Sequence, residues 1–208
     1  MFGNFLLLFG IFILIFIYGK VLFCYFRYGN VFIQKLDGFE IAKRATQDYD
    51  DINIVEAKNI LISYYDSKRS VIRLTSRVYF GHDVFCLGIA YVLACYSQFY
   101  QRKNFFKPIF FRVSWCSLTM VFGFLLSCFT YTVFDARIGC VVLFLLLIIQ
   151  YFHFVIDGFE STSRDICFDK EDMDKIRMVK QEILFLSKMS FVGNLVFLMR
   201  EIVIMLNL

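Results

Sequence analysis

The chain has 208 residues, of which 59% are hydrophobic and 20% aromatic, and its mean hydropathy is +0.65. Soluble domains are about half apolar, so this composition favours a protein embedded largely in lipid. Its net charge is only +4 and its aromatic residues lie within apolar runs, which excludes the basic, aromatic face of a nucleic-acid-binding protein.

The first apolar run, Phe2 to Gly19, is eighteen residues long without a charge, enough for one transmembrane helix. No basic residue precedes it and no small-residue cleavage site follows it, which predicts a retained anchor over residues 1–27 rather than a signal peptide. Lys20 and Arg27 mark its far end. By the positive-inside rule, the N-terminus lies outside and the following residues inside.

A polar region follows from residue 28. Asp37 followed by Glu40 is typical of a capping box and predicts a helix through FEIAKRATQDYD. Three strand-like pieces come next: DINIV, NILISYY and SVIRLTSRVY, the last with Ile72, Leu74 and Val78 on one face. We therefore expect a small cytosolic α+β subdomain over residues 28–112.

The uncharged run after Asp83 is a helix that does not cross the membrane. Residues 84–100 are seventeen in number, which is short for a span. If they crossed, the basic linker with Arg102, Lys103 and Lys107 would lie outside, against the positive-inside rule. We expect a cytosolic or interfacial helix.

Two longer apolar runs, Val113 to Phe134 and Ile138 to Ile156, are separated by three residues and predict a transmembrane helical hairpin over 113–157. Residues 158–208 should form a cytosolic helical segment and a C-terminal apolar helix. The latter is interrupted by polar residues that do not share one helical face: Lys188, Asn194, Arg200 and Glu201. The sequence leaves open whether it spans the membrane, lies in the interface or packs on the bundle. The predicted fold is thus a mainly α integral membrane protein.

Two stretches, EIAKRATQDYDDINIV and YDSKRSVIRLTSRVYFGHDVFCLGIAYVLACYSQ, resemble the bacterial membrane-bound neutral zinc metallopeptidases. That family reads as Glu-Val-Ala-Arg, a Tyr-Asp-Pro-Arg turn, a Val-Val-Arg-Leu-Ser strand and a Val-Tyr pair. The matching segments here are Glu40 to Arg44, Tyr65-Asp66, Val71 to Thr75, and Val78-Tyr79. The order of predicted elements is similar too, so the resemblance covers nearly the whole chain.

The resemblance implies that the next helix should carry His-Glu-x-x-His, whose histidines bind zinc and whose glutamate activates water. Carried over without a gap, these positions are Val92, Leu93 and Tyr96. Valine and leucine offer no lone pair, and tyrosine is a poor zinc ligand. The region of the third ligand is FESTSR, where Asp157 or Glu160 is a possible relic, but one carboxylate does not hold a catalytic zinc. The resemblance therefore implies no catalytic residue, no metal and no cofactor.

Other chemistry has no sequence support. The chain lacks Gly-x-Ser-x-Gly, a P-loop and a dinucleotide fingerprint. Neither long apolar run contains a charge, so we do not expect an ion or proton pathway. Six of the seven cysteines lie in apolar runs and none forms Cys-x-x-Cys, which favours small buried hydrophobes over a metal or disulfide framework.

We therefore expect a catalytically inactive metallopeptidase-like protein that serves as a structural or scaffold subunit of a membrane complex. Its partners are the lipid bilayer and other membrane proteins, with no nucleic acid and no small-molecule substrate. One alternative is a metallopeptidase with unorthodox ligands drawn from His82, His153, Asp157 and Glu160. The other is a small subunit of an energy-transducing or transport complex.

The codon-driven excess of Phe over Ala and Pro indicates a low-GC genome, such as that of a reduced bacterium or an organelle. The expected location is the bacterial or mitochondrial inner membrane. Residues 28–112 would then lie on the cytosolic or matrix side.

Overall fold

The computed structural model describes residues 2–33, 35–49, 51–58, 62–102, 110–112, 115–129, 135–151 and 170–206. This part of the chain is mainly helical with a small sheet. In chain order its elements are α1 Phe2–Tyr28, α2 Gly38–Ala45, β1 Asn53–Glu56, β2 Tyr64–Asp66, β3 Val71–Leu74, α3 Ser76–Tyr79, α4 Val84–Arg102, β4 Phe110–Arg112, α5 Trp115–Phe129, α6 Ala136–Gln150 and α7 Lys170–Met205.

The chain divides into two compact units. The bundle unit comprises Met1–Leu22, Trp115–Ile156 and Leu184–Leu208, and the mixed unit comprises Phe23–Ser114 and Asp157–Ile183. Both α1 and α7 contain residues of each unit. Our division of the sequence into four consecutive segments stays a prediction.

Within the part of the chain that the structure describes, two helices are long and apolar enough to cross a membrane, over Gly3–Tyr28 and Glu171–Met205. α1 extends nine residues past the uncharged run, because Lys20 and Arg27 end the run without breaking the helix. It ends where Gly29 and Asn30 follow, and the Asn30 side chain donates to the Phe26 carbonyl at 3.2 Å.

The polar and apolar parts of the C-terminal segment form one helix, α7, of 36 residues. No proline interrupts it. Its first turns are supported by ion pairs between residues three or four apart, such as Lys175 with Glu171 at 2.9 Å.

The mixed unit contains a four-stranded sheet in the order β1-β3-β2-β4. β1 runs parallel to β3, while β2 runs antiparallel to both β3 and β4. Ile72 lies at the centre, with Ile54 on one side and Tyr65 on the other. The predicted α+β content of this region is therefore present.

Two details of the predicted strands are wrong. The piece SVIRLTSRVY is a strand only to Leu74, because the Thr75 hydroxyl accepts from the Val78 N–H and starts α3. Val78 is buried like Ile72 and Leu74, but from a helix. β4, within the basic linker, was not predicted.

The predicted helix starts are confirmed at two aspartates. The Asp37 carboxylate accepts from the Glu40 N–H at 2.7 Å and caps α2. The Asp83 carboxylate accepts from the Cys86 N–H at 2.8 Å, at the start of α4. His82, which precedes Asp83, does not make this cap.

The bundle unit packs α5, α6 and parts of α1 and α7 around an apolar core. Each hairpin helix has fifteen described residues, and the remainder of both predicted runs lies outside the described residues. Its buried core is Leu6, Ile13, Ile17, Met120, Leu143, Leu147, Leu186, Val196, Phe197 and Leu198. Large apolar side chains are also exposed on all four helices, among them Phe12, Phe122, Phe144 and Met199.

Candidate functional site

The positions implied for the zinc motif lie in the middle of α4. Val92 and Leu93 are completely buried and Tyr96 is 1% exposed. Residues four apart share a helical face, so Val92 and Tyr96 point the same way. This face of α4 belongs to the interior of the mixed unit.

One side of α4 is covered by α2 between Ala90 and Gln98. A Cβ placed on Gly38 would lie 3.5 Å from the Ala90 side chain, so the start of α2 sits directly on α4. At the other end, the Gln98 amide donates to the Ala45 carbonyl. The only residue that fits at Gly38 is glycine, because a Cβ would also overlap the Val78 carbonyl.

α7 covers α4 at a second place within the mixed unit. A Cβ on Gly88 would overlap the Val179 side chain, and the Lys180 ammonium lies 5.8 Å from the centre of the Tyr91 ring. The absence of a side chain at Gly88 therefore lets the two helices approach closely. The region FESTSR, where the resemblance would place the third ligand, lies outside the described residues.

The Cys95 thiol and the Tyr91 hydroxyl near this face are held in their neutral forms. Burial raises the pKa of the Cys95 thiol, against the opposing effects of the Lys180 charge and the Tyr91 hydroxyl. Burial also raises the pKa of Tyr91. A buried, protonated thiol is a poor nucleophile, so Cys95 acts here as a small packed side chain.

Of the residues proposed for a relocated metal site, the structure describes only His82. The His82 Nδ1–H donates to the Leu36 carbonyl at 2.6 Å, which engages this ring nitrogen. His153, Asp157 and Glu160 lie outside the described residues. Within the described ranges, no group of three His, Cys, Asp or Glu side chains could hold a metal ion.

A second candidate site lies inside the bundle unit, where sequence reasoning expected none. The Gln150 amide donates to the Thr119 hydroxyl at 2.6 Å and to the Ser190 hydroxyl at 3.2 Å. The Asn194 amide donates to the Gln150 carbonyl oxygen at 3.1 Å. All four side chains are buried. They connect α5, α6 and α7.

A buried ion pair lies further along the same helices. The Arg200 guanidinium donates to the Glu201 carboxylate and to the Ser127 carbonyl, each at 2.6 Å. Arg200 is 3% exposed and Glu201 is completely buried. We call this group the polar seam; its members are Thr119, Ser127, Gln150, Ser190, Asn194, Arg200 and Glu201.

The spacing of residues contains the signal that could have predicted the seam. On α5, Thr119, Gly123 and Ser127 are each four apart, and on α7 Asn194 and Glu201 are seven apart. Both spacings place residues on one helical face. We had noted only that Lys188, Asn194, Arg200 and Glu201 together do not share a face; Lys188 is the exposed exception.

The seam leaves two oxygens available for a further interaction. Among the described residues, neither Asn194 Oδ1 nor Glu201 Oε2 has a hydrogen-bond partner. Gly123 lies against Asn194, since a Cβ there would overlap Oδ1. Chemically the seam joins three helices by hydrogen bonds and holds a carboxylate and a guanidinium in an apolar bundle.

Five of the cysteines are free thiols. Cys24, Cys86 and Cys95 are buried, whereas Cys128 is exposed and Cys140 half-buried. Burial and the nearby Asp83 carboxylate raise the pKa of Cys86 to about 12.

Comparison of the chain with protein-family models, with curated proteins and with solved structures found no match in any of the three. The resemblance to the zinc metallopeptidases therefore rests on the quoted residues.

Proposed function

We propose that the chain is a multi-pass integral membrane protein of the bacterial or mitochondrial inner membrane. Two long apolar helices support this proposal. So does the bundle unit, whose exposed residues include many large hydrophobics while its polar seam is buried. Such an arrangement suits lipid, where apolar side chains face outward at no cost.

We further propose that the protein is a catalytically inactive relative of the zinc metallopeptidases, with a structural role in a membrane complex. The observation that carries this proposal is the burial of Val92, Leu93 and Tyr96. A zinc peptidase needs this helix face to be polar and reached by water. Packed side chains at these three positions preserve the helix and its neighbours, but they leave no group that could bind zinc and activate water.

Metal content tests the inactive-site proposal. Purified protein should contain less than about 0.1 zinc per chain, because three or four correctly placed ligands are required. One zinc per chain that survives dialysis would contradict it. A variant with His82→Ala and His153→Ala separates the outcomes, since loss of that zinc would instead favour a peptidase with unorthodox ligands.

Topology tests the membrane proposal. In a cysteine-free variant, single cysteines introduced at positions 58 and 104 should be labelled from the same side of the membrane by an impermeant reagent. Labelling from opposite sides would mean that α4 crosses the bilayer, and the proposed architecture would be wrong.

The polar seam favours a second candidate, a small subunit of an energy-transducing or transport complex. Ionisable residues inside a membrane bundle are costly and commonly serve ion or proton movement. If this role holds, Glu201→Gln should leave the complex assembled in mild detergent but reduce its activity at least tenfold. For a pure scaffold, deletion of the chain should disassemble the complex, while Glu201→Gln leaves activity within about twofold.

A further inference from the structure

Several large apolar side chains are exposed where α1 ends and the mixed unit begins. Phe23 and Phe26 lie on the last turns of α1, and Phe32 lies in the loop that follows. Phe80 is exposed at the end of α3. Phe26, Phe32 and Phe80 are each more than half exposed, at 64%, 66% and 57%. An exposed cluster of this kind marks an interaction surface.

Hydrogen bonds hold these segments together. The Ile33 N–H donates to the His82 carbonyl, and the Val84 N–H donates to the Val31 carbonyl, both at 2.8 Å. The loop carrying Phe32 is thereby fixed to the residues that follow Phe80. We call Phe26, Val31, Phe32 and Phe80, with Arg27 and Arg77, the aromatic corner.

A second set of contacts fixes α1 to the same place. The Tyr25 ring meets the Phe85 ring edge-on, with centroids 5.6 Å apart. The Arg77 guanidinium donates to the Tyr25 hydroxyl at 2.7 Å and lies 4.9 Å from the centre of its ring. Arg77 is therefore held at the level of the last turns of α1, and its side chain is exposed.

The distance along α1 puts this level at the membrane surface. Residues 23–26 lie roughly 6–10 Å beyond Gly19, the last residue of the uncharged run, at 1.5 Å per residue. The headgroup layer on each side of a bilayer is about 5–8 Å thick. Aromatic side chains prefer this layer, and arginines there attract anionic headgroups.

We propose that the aromatic corner is a bilayer-docking surface. Phe26, Val31, Phe32 and Phe80 enter the headgroup layer, and Arg27 and Arg77 bind the phosphate groups of anionic lipids. This inference rests on the proposed membrane location, because α1 must enter the bilayer beside the corner. It adds that the mixed unit itself contacts the lipid and that this contact depends on the charge of the headgroups.

Tryptophan quenching in lipid tests the docking. The single Trp115 is replaced by Phe, and one Trp is introduced at Phe32 or at Phe80 of the full chain in nanodiscs. Lys68→Trp, in an exposed turn of the mixed unit, is the water-facing control, and Phe12→Trp, exposed on α1, is the membrane control.

Lipids brominated on their acyl chains should quench Trp at positions 32 and 80 at least twofold more than at position 68. Aqueous iodide should quench them at least twofold less. Iodide quenching equal to that at position 68 would overturn the docking. So would protection from both quenchers, which would show a protein covering the corner.

The Phe12→Trp control separates this inference from the proposal beneath it. If that Trp is quenched by brominated lipid while positions 32 and 80 are not, the membrane location stands and the docking is wrong. If position 12 is not quenched either, the membrane proposal fails.

Lipid charge tests the role of the arginines. Replacing a third of a phosphatidylcholine bilayer by phosphatidylglycerol should increase the brominated-lipid quenching at position 80 by at least 1.5-fold. Arg77→Gln should abolish that increase, and Arg77→Lys should retain most of it. Lys68→Gln serves as a matched loss of charge and should retain it fully. An increase that survives Arg77→Gln, or no increase at all, would overturn phosphate binding by Arg77.

Discussion

The two units of this protein differ in the side chains that they expose. In the mixed unit, the least polar helix, α4, is inside, and the charges of α2 and of the turn after β2 are exposed. In the bundle unit, phenylalanines and leucines cover the outside, and amides, hydroxyls and an ion pair are buried. This difference is the one expected if the bundle unit faces lipid and the mixed unit faces water, as proposed above, because each surface then matches its solvent. The side chains that each unit exposes therefore indicate its surroundings better than the hydropathy of its sequence does.

The largest effect on stability is expected when one member of the buried ion pair is removed. Glu201→Ala should lower the free energy of unfolding by about 3–5 kcal/mol, because Arg200 would remain buried without its carboxylate. Unfolding of the protein in bicelles measures the loss. Lys188→Ala, on an exposed face of α7, should cost under about 0.5 kcal/mol.

The double variant Arg200→Met with Glu201→Leu gives the complementary result. Replacing a buried pair by apolar residues of similar size is often neutral or stabilising, by up to about 4 kcal/mol. We expect it to be at least as stable as the natural protein. A double variant as unstable as Glu201→Ala would mean that the intact ion pair stabilises the fold more than apolar side chains of similar size do.

The packing of α4 is tested by truncation in the mixed unit. Tyr96→Ala should cost about 3 kcal/mol or more, and Val92→Ala about 1–3 kcal/mol, because both side chains are fully enclosed. The urea dependence of Cys95 labelling reports the opening of this unit, since Cys95 is buried on the same helix. Val55→Ala, exposed on β1, is the control. A negligible loss of stability in Val92→Ala would indicate that this position lines an open cleft. That result would favour the alternative of a metallopeptidase with unorthodox ligands.

A milder change addresses the hydrogen bonds of the seam. Asn194→Ala should cost about 1 kcal/mol, the usual size of an interhelical hydrogen bond in a membrane bundle. The same bicelle unfolding measures it, with Asn30→Ala, on an exposed helix end, as the control. A cost above about 3 kcal/mol would show that Asn194 supports more than its bond to Gln150.

The smallest expected effect is a pH dependence of the stability of the mixed unit, caused by the Cys86 thiol. Because burial raises the pKa of Cys86 from 9.0 to about 12, the unfolded chain loses this proton first as the pH rises. The stability contributed by the neutral thiol is complete below about pH 9 and decreases as the pH rises towards 12. The urea midpoint of the mixed unit should therefore fall between pH 8 and pH 10.5. The urea midpoint of the Cys86→Ala variant should fall less over the same pH range. An equal decrease in both proteins would assign the pH dependence to other groups.

Local signals in the sequence predicted the mixed unit well. Asp37 and Asp83 are helix caps whose side chains act within three residues, and the alternation of Ile72 and Leu74 marks a strand. The end of that strand was missed, because Thr75 competes for the backbone by capping α3. β4 was missed because its pairing partner, β2, is more than forty residues away in sequence and no local pattern specifies it.

The polar seam was harder to predict, because its meaning depends on three helices at once. Gln150 is an uncharged residue within the apolar run Ile138 to Ile156, and no local pattern shows that Thr119, Ser190 and Asn194 surround it. Arg200 and Glu201 are adjacent, so helical spacing alone does not place both on one face. The long arginine side chain reaches back to its neighbour, which only the packed structure specifies.

The hydrogen bond between Asn194 and Gln150 sets an order of events during biosynthesis. The two residues are 44 positions apart, so the ribosome needs about 2–9 s after adding Gln150 before it adds Asn194. Until α7 packs against α5 and α6, the Gln150 carbonyl oxygen lacks the Asn194 donor. A chain truncated before residue 190 would remain in this state, because it contains neither Ser190 nor Asn194 to bond with Gln150.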